Sequence, residues 1–185
     1  MSLKPAIPAL LIVPGDTHMD YKALYSIASA YAHSGLILSS HGEKSKQIVF
    51  TFPAIVCSSF AIELFMKFFL MIGKLEDVDT PHKHDSGHRL NGLWIKINTE
   101  NQDLIAGMFQ NSSGVPHLNA IELHKEQFLK ALEHVGDAPF VQWRYVYEIP
   151  QMTLMSHAAI TVVLDALGYA AKYIVEQKSI TENNS

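Results

Sequence analysis

Apolar residues recur at helical spacing along most of the chain, and this pattern predicts its elements. Between Asp20 and about Leu38 they lie three and four residues apart, which predicts a helix, whereas the polar stretch Ser39–Lys46 is interpreted as a loop. Further helices are predicted over residues 51–72, 88–97, 101–110, 119–134 and 152–177. No two strand patterns are joined by a hairpin turn. The predicted fold class is all-α, an up-and-down helical bundle of four to five main helices plus short ones.

The predicted bundle covers residues 17–177, between an N-terminal extension at 1–16 and a polar C-terminal tail at 178–185. Asp16 or Thr17 can cap the first helix. Residues 140–149 alternate aromatic and polar side chains and are compatible with either an extended segment or a helix.

The stretch Ile48–Gly73 is apolar on nearly all sides and long enough to cross a membrane. Glu63 and Lys67 lie near its middle, and a charge at the centre of a bilayer costs about 2.5–3.5 kcal/mol on insertion scales. We therefore interpret it as the central helix of a cytoplasmic bundle, ended by Gly73, and expect no membrane association. Glu63 and Lys67 form an i,i+4 pair in the favourable order.

The composition adds an expectation about assembly. Of the 185 residues, 48% are hydrophobic and only 17% are charged, with a net charge of −4. Charged residues usually make up about a quarter of a chain, so more apolar surface is present than one copy can bury, and we expect a homodimer. The chain has only two arginines, Arg89 and Arg144, which argues against a broad basic surface for nucleic acid. Its single cysteine, Cys57, permits no intramolecular disulfide.

Three segments occur in an order that resembles one protein family. They are FAIELFMKFFL at residues 60–70, GHRLNGLW at 87–94 and WRYVYE at 143–148. The order and spacing resemble the HEPN superfamily, in which an A-x-E-L-x-L-K central helix precedes a Gly-His-x-Leu helix start and a later Arg-Tyr segment. The resemblance implies a dimeric bundle of four or five helices with a role in toxin–antitoxin, phage-defence or RNA-processing systems.

The chain departs from this family at the catalytic signature. Catalytic members are metal-independent ribonucleases that carry Arg-x(4–6)-His, but after Arg144 the next histidine is His157. We therefore expect a non-catalytic module that binds a nucleotide, RNA or a partner protein. The alternative is a divergent ribonuclease or nucleotidyl-transfer enzyme that uses His88 or His157 with Arg144. A third possibility is an assembly or immunity factor whose apolar faces dock a larger partner.

The resemblance and the residue chemistry single out Glu63, Lys67, His88, Arg144 and Tyr145 as candidate ligand-binding residues. A buried Glu63 requires a cationic partner, which Lys67 or Arg144 can supply. His88 can act near neutral pH or fix the start of its helix by bonding a loop carbonyl. Arg144 can hold a phosphate or stack and pair with Glu63 or Glu148.

A histidine-rich stretch invites a metal interpretation. His82, His84 and His88 with Asp85 have donors that suit zinc or nickel. No second cluster supplies a fixed framework, so we predict neither a functional metal site nor a cofactor.

Overall fold

The computed structural model of the chain describes residues 20–76, 88–109, 121–144 and 157–183. The helices are α1 (Tyr21–Ser45), α2 (Thr51–Glu76), α3 (Leu90–Lys96), α4 (Thr99–Phe109), α5 (Ile121–Val135), α6 (Pro139–Arg144) and α7 (His157–Asn183), with a 3-10 turn at Ile48–Phe50. No strand occurs among these residues, so the predicted all-α helical bundle is confirmed.

The first helix starts at a side-chain cap and ends later than predicted. Asp20 Oδ1 accepts hydrogen bonds from the backbone N–H groups of Lys22 (2.8 Å) and Ala23 (3.2 Å), the arrangement of an N-cap. The predicted caps Asp16 and Thr17 lie outside the described residues.

The prediction of a loop at residues 39–46 is wrong, because α1 continues to Ser45. The polar segment is held by tertiary contact: the His41 ring meets the Phe50 ring edge-on at 4.5 Å, and Gly42 is buried. The helix ends where the backbone turns left-handed at Lys46, with φ 55°.

Helices α1 and α2 form an antiparallel pair. Their aromatic contacts run in opposite chain directions, with Tyr25 against Phe65 at 6.3 Å and Tyr31 against Phe60 at 4.7 Å. The helices cross closely at Gly35, where an added Cβ would lie 3.0 Å from the Ala54 carbonyl oxygen. A side chain at this position would force the two helices apart.

Helix α7 lies antiparallel to α1 and parallel to α2. Near its end, Glu182 accepts hydrogen bonds from the Tyr21 hydroxyl (2.9 Å) and the Lys22 ammonium (2.5 Å), and the bond from Lys22 holds the pKa of the Glu182 carboxyl below its usual value. Farther along, Gly168 lies beside the Phe65 ring. The helix thus extends beyond its predicted end at Gln177, because residues of the expected polar tail contact α1.

Helix α2 is the core of the bundle. Ile55, Ile62 and Phe69 are fully buried, and the helix passes its predicted end at Gly73 to reach Glu76. One glycine inside a helix costs only about 1 kcal/mol, which the burial of the preceding turn offsets. The helix Ile48–Gly73 is long and apolar enough to cross a membrane. The core helix of a soluble protein meets the same criterion of length and hydropathy.

The shorter helices close one side of the bundle around Phe128 of α5. The Phe128 ring lies 4.8 Å from Trp94 of α3 and 5.6 Å from Phe109 of α4. Phe128 and Leu132 are fully buried. This aromatic cluster fixes α3 beside α2, where the candidate site lies.

Candidate functional site

A buried carboxylate lies in the middle of α2. Glu63 is only 1% exposed, and the other buried polar residues of the described chain are Ser58, Ser59 and Asn101. Among the described residues, Glu63 is therefore the one ionisable residue that is buried. A carboxylate out of water without partners would cost several kcal/mol, so its contacts matter for stability.

Nitrogen atoms of two side chains meet at one oxygen of this carboxylate. Lys67 Nζ donates to Glu63 Oε1 at 2.8 Å, which realises the expected i,i+4 pair. His88 Nδ1 lies 2.9 Å from the same oxygen. Because Oε1 can only accept, the geometry fits a proton on His88 Nδ1 that is donated to Glu63.

The turn after α5 places His88 at this position. Gly136 adopts φ 93°, a left-handed conformation suited to glycine, and ends α5. The next residue, Asp137, then caps α3: its carbonyl accepts from Leu90 N–H at 2.7 Å, and its Oδ1 accepts from Asn91 N–H at 3.2 Å. The α5–α6 turn therefore fixes the start of α3, directly after His88.

His88 Nδ1 contacts a side-chain carboxylate on α2, and the expected bond from His88 to a loop carbonyl stays a prediction, because the preceding loop at residues 77–87 lies outside the described residues. Arg144 is the last residue of α6, and its side chain lies outside the described part of the structure. Tyr145, His82 and His84 also lie outside it, as does the side chain of His157. Of the five predicted ligand-binding residues, the structure thus brings together Glu63, Lys67 and His88.

Asp137 is the site residue that the sequence analysis missed. The Gly136–Asp137 pair after an amphipathic helix signals the end of α5. The sequence carries no sign that this turn caps α3, because the partner residues precede it by about 46 positions.

The charges of the site are arranged with the anion inside and the cations outside. The side chain of Glu63 is 2% exposed, that of Lys67 23% and that of His88 57%. Arg89 follows His88, is 83% exposed, and lies 3.8 Å from Asp137 Oδ2. Among the described residues, His88 Nε2 has no hydrogen-bond partner.

The described residues contain no group of three or more histidine, cysteine, aspartate or glutamate side chains that could hold a metal ion. The cluster has a single carboxylate and one imidazole, and its third member is an ammonium, which cannot bind a metal while protonated. Its chemistry is therefore that of hydrogen bonding and charge.

Comparison of the chain with protein-family models, curated proteins and solved structures gives no match.

A double-mutant cycle tests the charge balance of the site. We expect Lys67→Met to lower the free energy of unfolding by about 1–3 kcal/mol, because it leaves a buried carboxylate with His88 as its described partner. Adding Glu63→Gln removes the uncompensated charge and should recover part of this loss. The cycle is measured by urea denaturation at neutral pH. Strictly additive effects would show that Lys67 and Glu63 do not interact.

Proposed function

We propose that the chain is a HEPN-like, non-catalytic module that binds a phosphate-bearing ligand, a nucleotide or RNA, at the surface formed by Lys67, His88 and Arg89. Its setting would be a bacterial defence, toxin–antitoxin or regulatory system, as the resemblance implies. The observation that carries the proposal is the arrangement of charges around Glu63, with a buried anion and exposed cations.

The charge balance favours an anionic ligand. Lys67 already neutralises the Glu63 carboxylate, so protonation of His88 gives the Glu63–Lys67–His88 cluster a net positive charge. His88 Nε2–H and the Arg89 guanidinium would then be donors on the solvent side, and charged donors form strong hydrogen bonds with phosphate. The Glu63 carboxylate is buried and already engaged, so it repels such a ligand little, and the second carboxylate of the surface, Asp137, lies 3.8 Å from the Arg89 guanidinium, which offsets its charge.

The proposal is limited to a small contact surface. The chain contains only two arginines, so a long duplex would find few phosphate partners. A nucleotide or a short single-stranded segment of RNA fits this number of cations better.

One observation also favours the enzyme alternative. His88 is held at Nδ1 by a buried carboxylate, and its Nε2 makes no hydrogen bond within the described part of the chain, which is how a catalytic histidine is oriented by its acidic partner. In that case His88, with Arg144 or another group, would serve as a general base. We rank the enzyme alternative below the binding module for two reasons. The chain lacks the Arg-x(4–6)-His signature, and Lys67 neutralises Glu63.

Binding of a labelled single-stranded RNA, followed by fluorescence anisotropy, tests the proposed site. We expect His88→Asn, which keeps a donor for Glu63 but removes Nε2, and Arg89→Gln each to weaken binding about 3- to 10-fold. Arg89→Gln should also reduce the salt dependence by about one counterion. Lys130→Gln is the matched control, because Lys130 is an exposed residue of α5 paired with Glu126 and should leave the affinity unchanged.

Equal affinities for all four proteins would contradict the proposed surface. Incubation of the same RNA with the wild-type protein separates the two functions. RNA that stays intact agrees with a binding module, whereas cleavage that is lost in His88→Asn would establish the enzyme alternative.

We also propose that the module is a homodimer. Large apolar side chains remain exposed on the described surface, including Ile37 (54%), Ile48 (63%) and Val49 (61%), which supports burial against a second copy or a partner protein. Light scattering at micromolar concentration should give twice the chain mass of 20.6 kDa. A mass of one chain would remove this part of the proposal.

A further inference from the structure

A groove lies between α1 and α7, with α2 as its floor. Its volume is ≈ 280 Å³, and its apolar walls include Tyr25 and Leu36 of α1, Phe65 of α2, and Leu164 and Tyr169 of α7. Ligand pockets for drug-sized molecules span roughly 300–1,000 Å³. The groove is therefore suited to a smaller organic molecule.

The groove is separate from the Glu63 site. Phe65 and Glu63 are two positions apart on α2, so their side chains point about 200° apart around the helix. The groove therefore opens on the opposite side of α2 from Lys67 and His88, and a ligand there would leave the phosphate surface free.

One acidic side chain of the groove has no partner among the described residues. Asp165 of α7 lines the wall, and within the described chain it forms no hydrogen bond or ion pair. Asp165 is an exposed residue at the edge of the groove, and desolvation by its surroundings raises the pKa of its carboxyl. A carboxylate without a described partner beside an apolar groove lined by aromatic rings attracts a cation.

The other ionisable groups of the groove do not satisfy Asp165. Lys172 lies two helical turns farther along α7, about 10 Å away by the rise of the helix. Its ammonium is 3.7 Å from Glu176 Oε1, and Glu176 lies still farther from Asp165. His33 of α1 faces the groove from the other wall and makes no described ion pair.

We propose that the α1–α7 groove binds a small organic cation, an amine or amidine whose apolar body packs against Tyr25, Phe65 and Leu164 while its charged nitrogen pairs with Asp165. The aromatic rings contribute to recognition because their faces attract cations. Leu36, which is 56% exposed, gains an apolar contact when the groove is filled.

Three probes of nearly equal shape and different charge test the proposal. Benzamidine is cationic, benzamide is neutral and benzoate is anionic, and binding of each to the full chain is followed by saturation-transfer NMR and titration. We expect benzamidine to bind about 2- to 5-fold more tightly than benzamide, because an ion pair with an exposed carboxylate contributes only a modest gain in affinity. Benzoate should bind more weakly still.

Two variants localise the binding. Asp165→Asn preserves shape and should remove the preference for benzamidine, whereas Glu133→Gln, the same change of charge at an exposed position of α5, should retain it. Gly168→Leu fills the groove without removing a polar group. A Cβ added at Gly168 would lie 3.8 Å from the Phe65 ring, which is an ordinary contact. Because replacing a helical glycine also favours folding, the Gly168→Leu variant should fold. It should no longer bind any of the three probes.

The proposal is overturned if benzamidine and benzamide bind equally, if benzoate binds most tightly, or if no probe binds. It is also overturned if Asp165→Asn and Gly168→Leu retain wild-type affinity for benzamidine. None of these outcomes bears on RNA binding at His88 and Arg89, so the two sites are tested independently.

Discussion

The charge of Glu63 is the constraint on which the arrangement of this bundle depends. A carboxylate in the middle of the central helix is unfavourable unless it is paired and hydrogen-bonded. Its two partners come from different distances along the chain. Lys67 lies one turn away on the same helix, so its contact forms with α2 itself. His88 comes from a separate segment, so its contact requires α3 to start beside α2. The aromatic cluster around Phe128 and the cap that Asp137 provides supply that position.

The same helix separates two surfaces of different chemistry. On one side, Lys67 and His88 contact the buried Glu63 carboxylate, and on the other, the Asp165 carboxylate, which has no partner among the described residues, lines an apolar groove. Close packing at Gly35 holds α1 against α2, and α7 contacts the Phe65 ring of α2 at Gly168, so both surfaces rest on one central helix. Rigid support favours recognition because less conformational entropy is lost on binding.

The sequence was informative where the determining contacts are local. The apolar run of α2 and the four-residue spacing of Glu63 and Lys67 were sufficient to predict a central helix with an internal ion pair. The ends of α1 and α7 were missed because polar residues are helical there through distant contacts, His41 with Phe50 and Glu182 with Lys22. The partner of His88 could not be predicted either, because Glu63 is 25 positions away and no periodic pattern links the two.

The protonation of the His88 ring tests the central interaction most directly. In a two-bond ¹H–¹⁵N correlation spectrum of the ¹⁵N-histidine-labelled protein, neutral His88 should carry its proton on Nδ1, because Glu63 Oε1 can only accept. Glu63→Gln should weaken this preference for Nδ1. A neutral His88 protonated on Nε2, with a spectrum unchanged by Glu63→Gln, would contradict the account, since the buried carboxylate would then not hold the histidine.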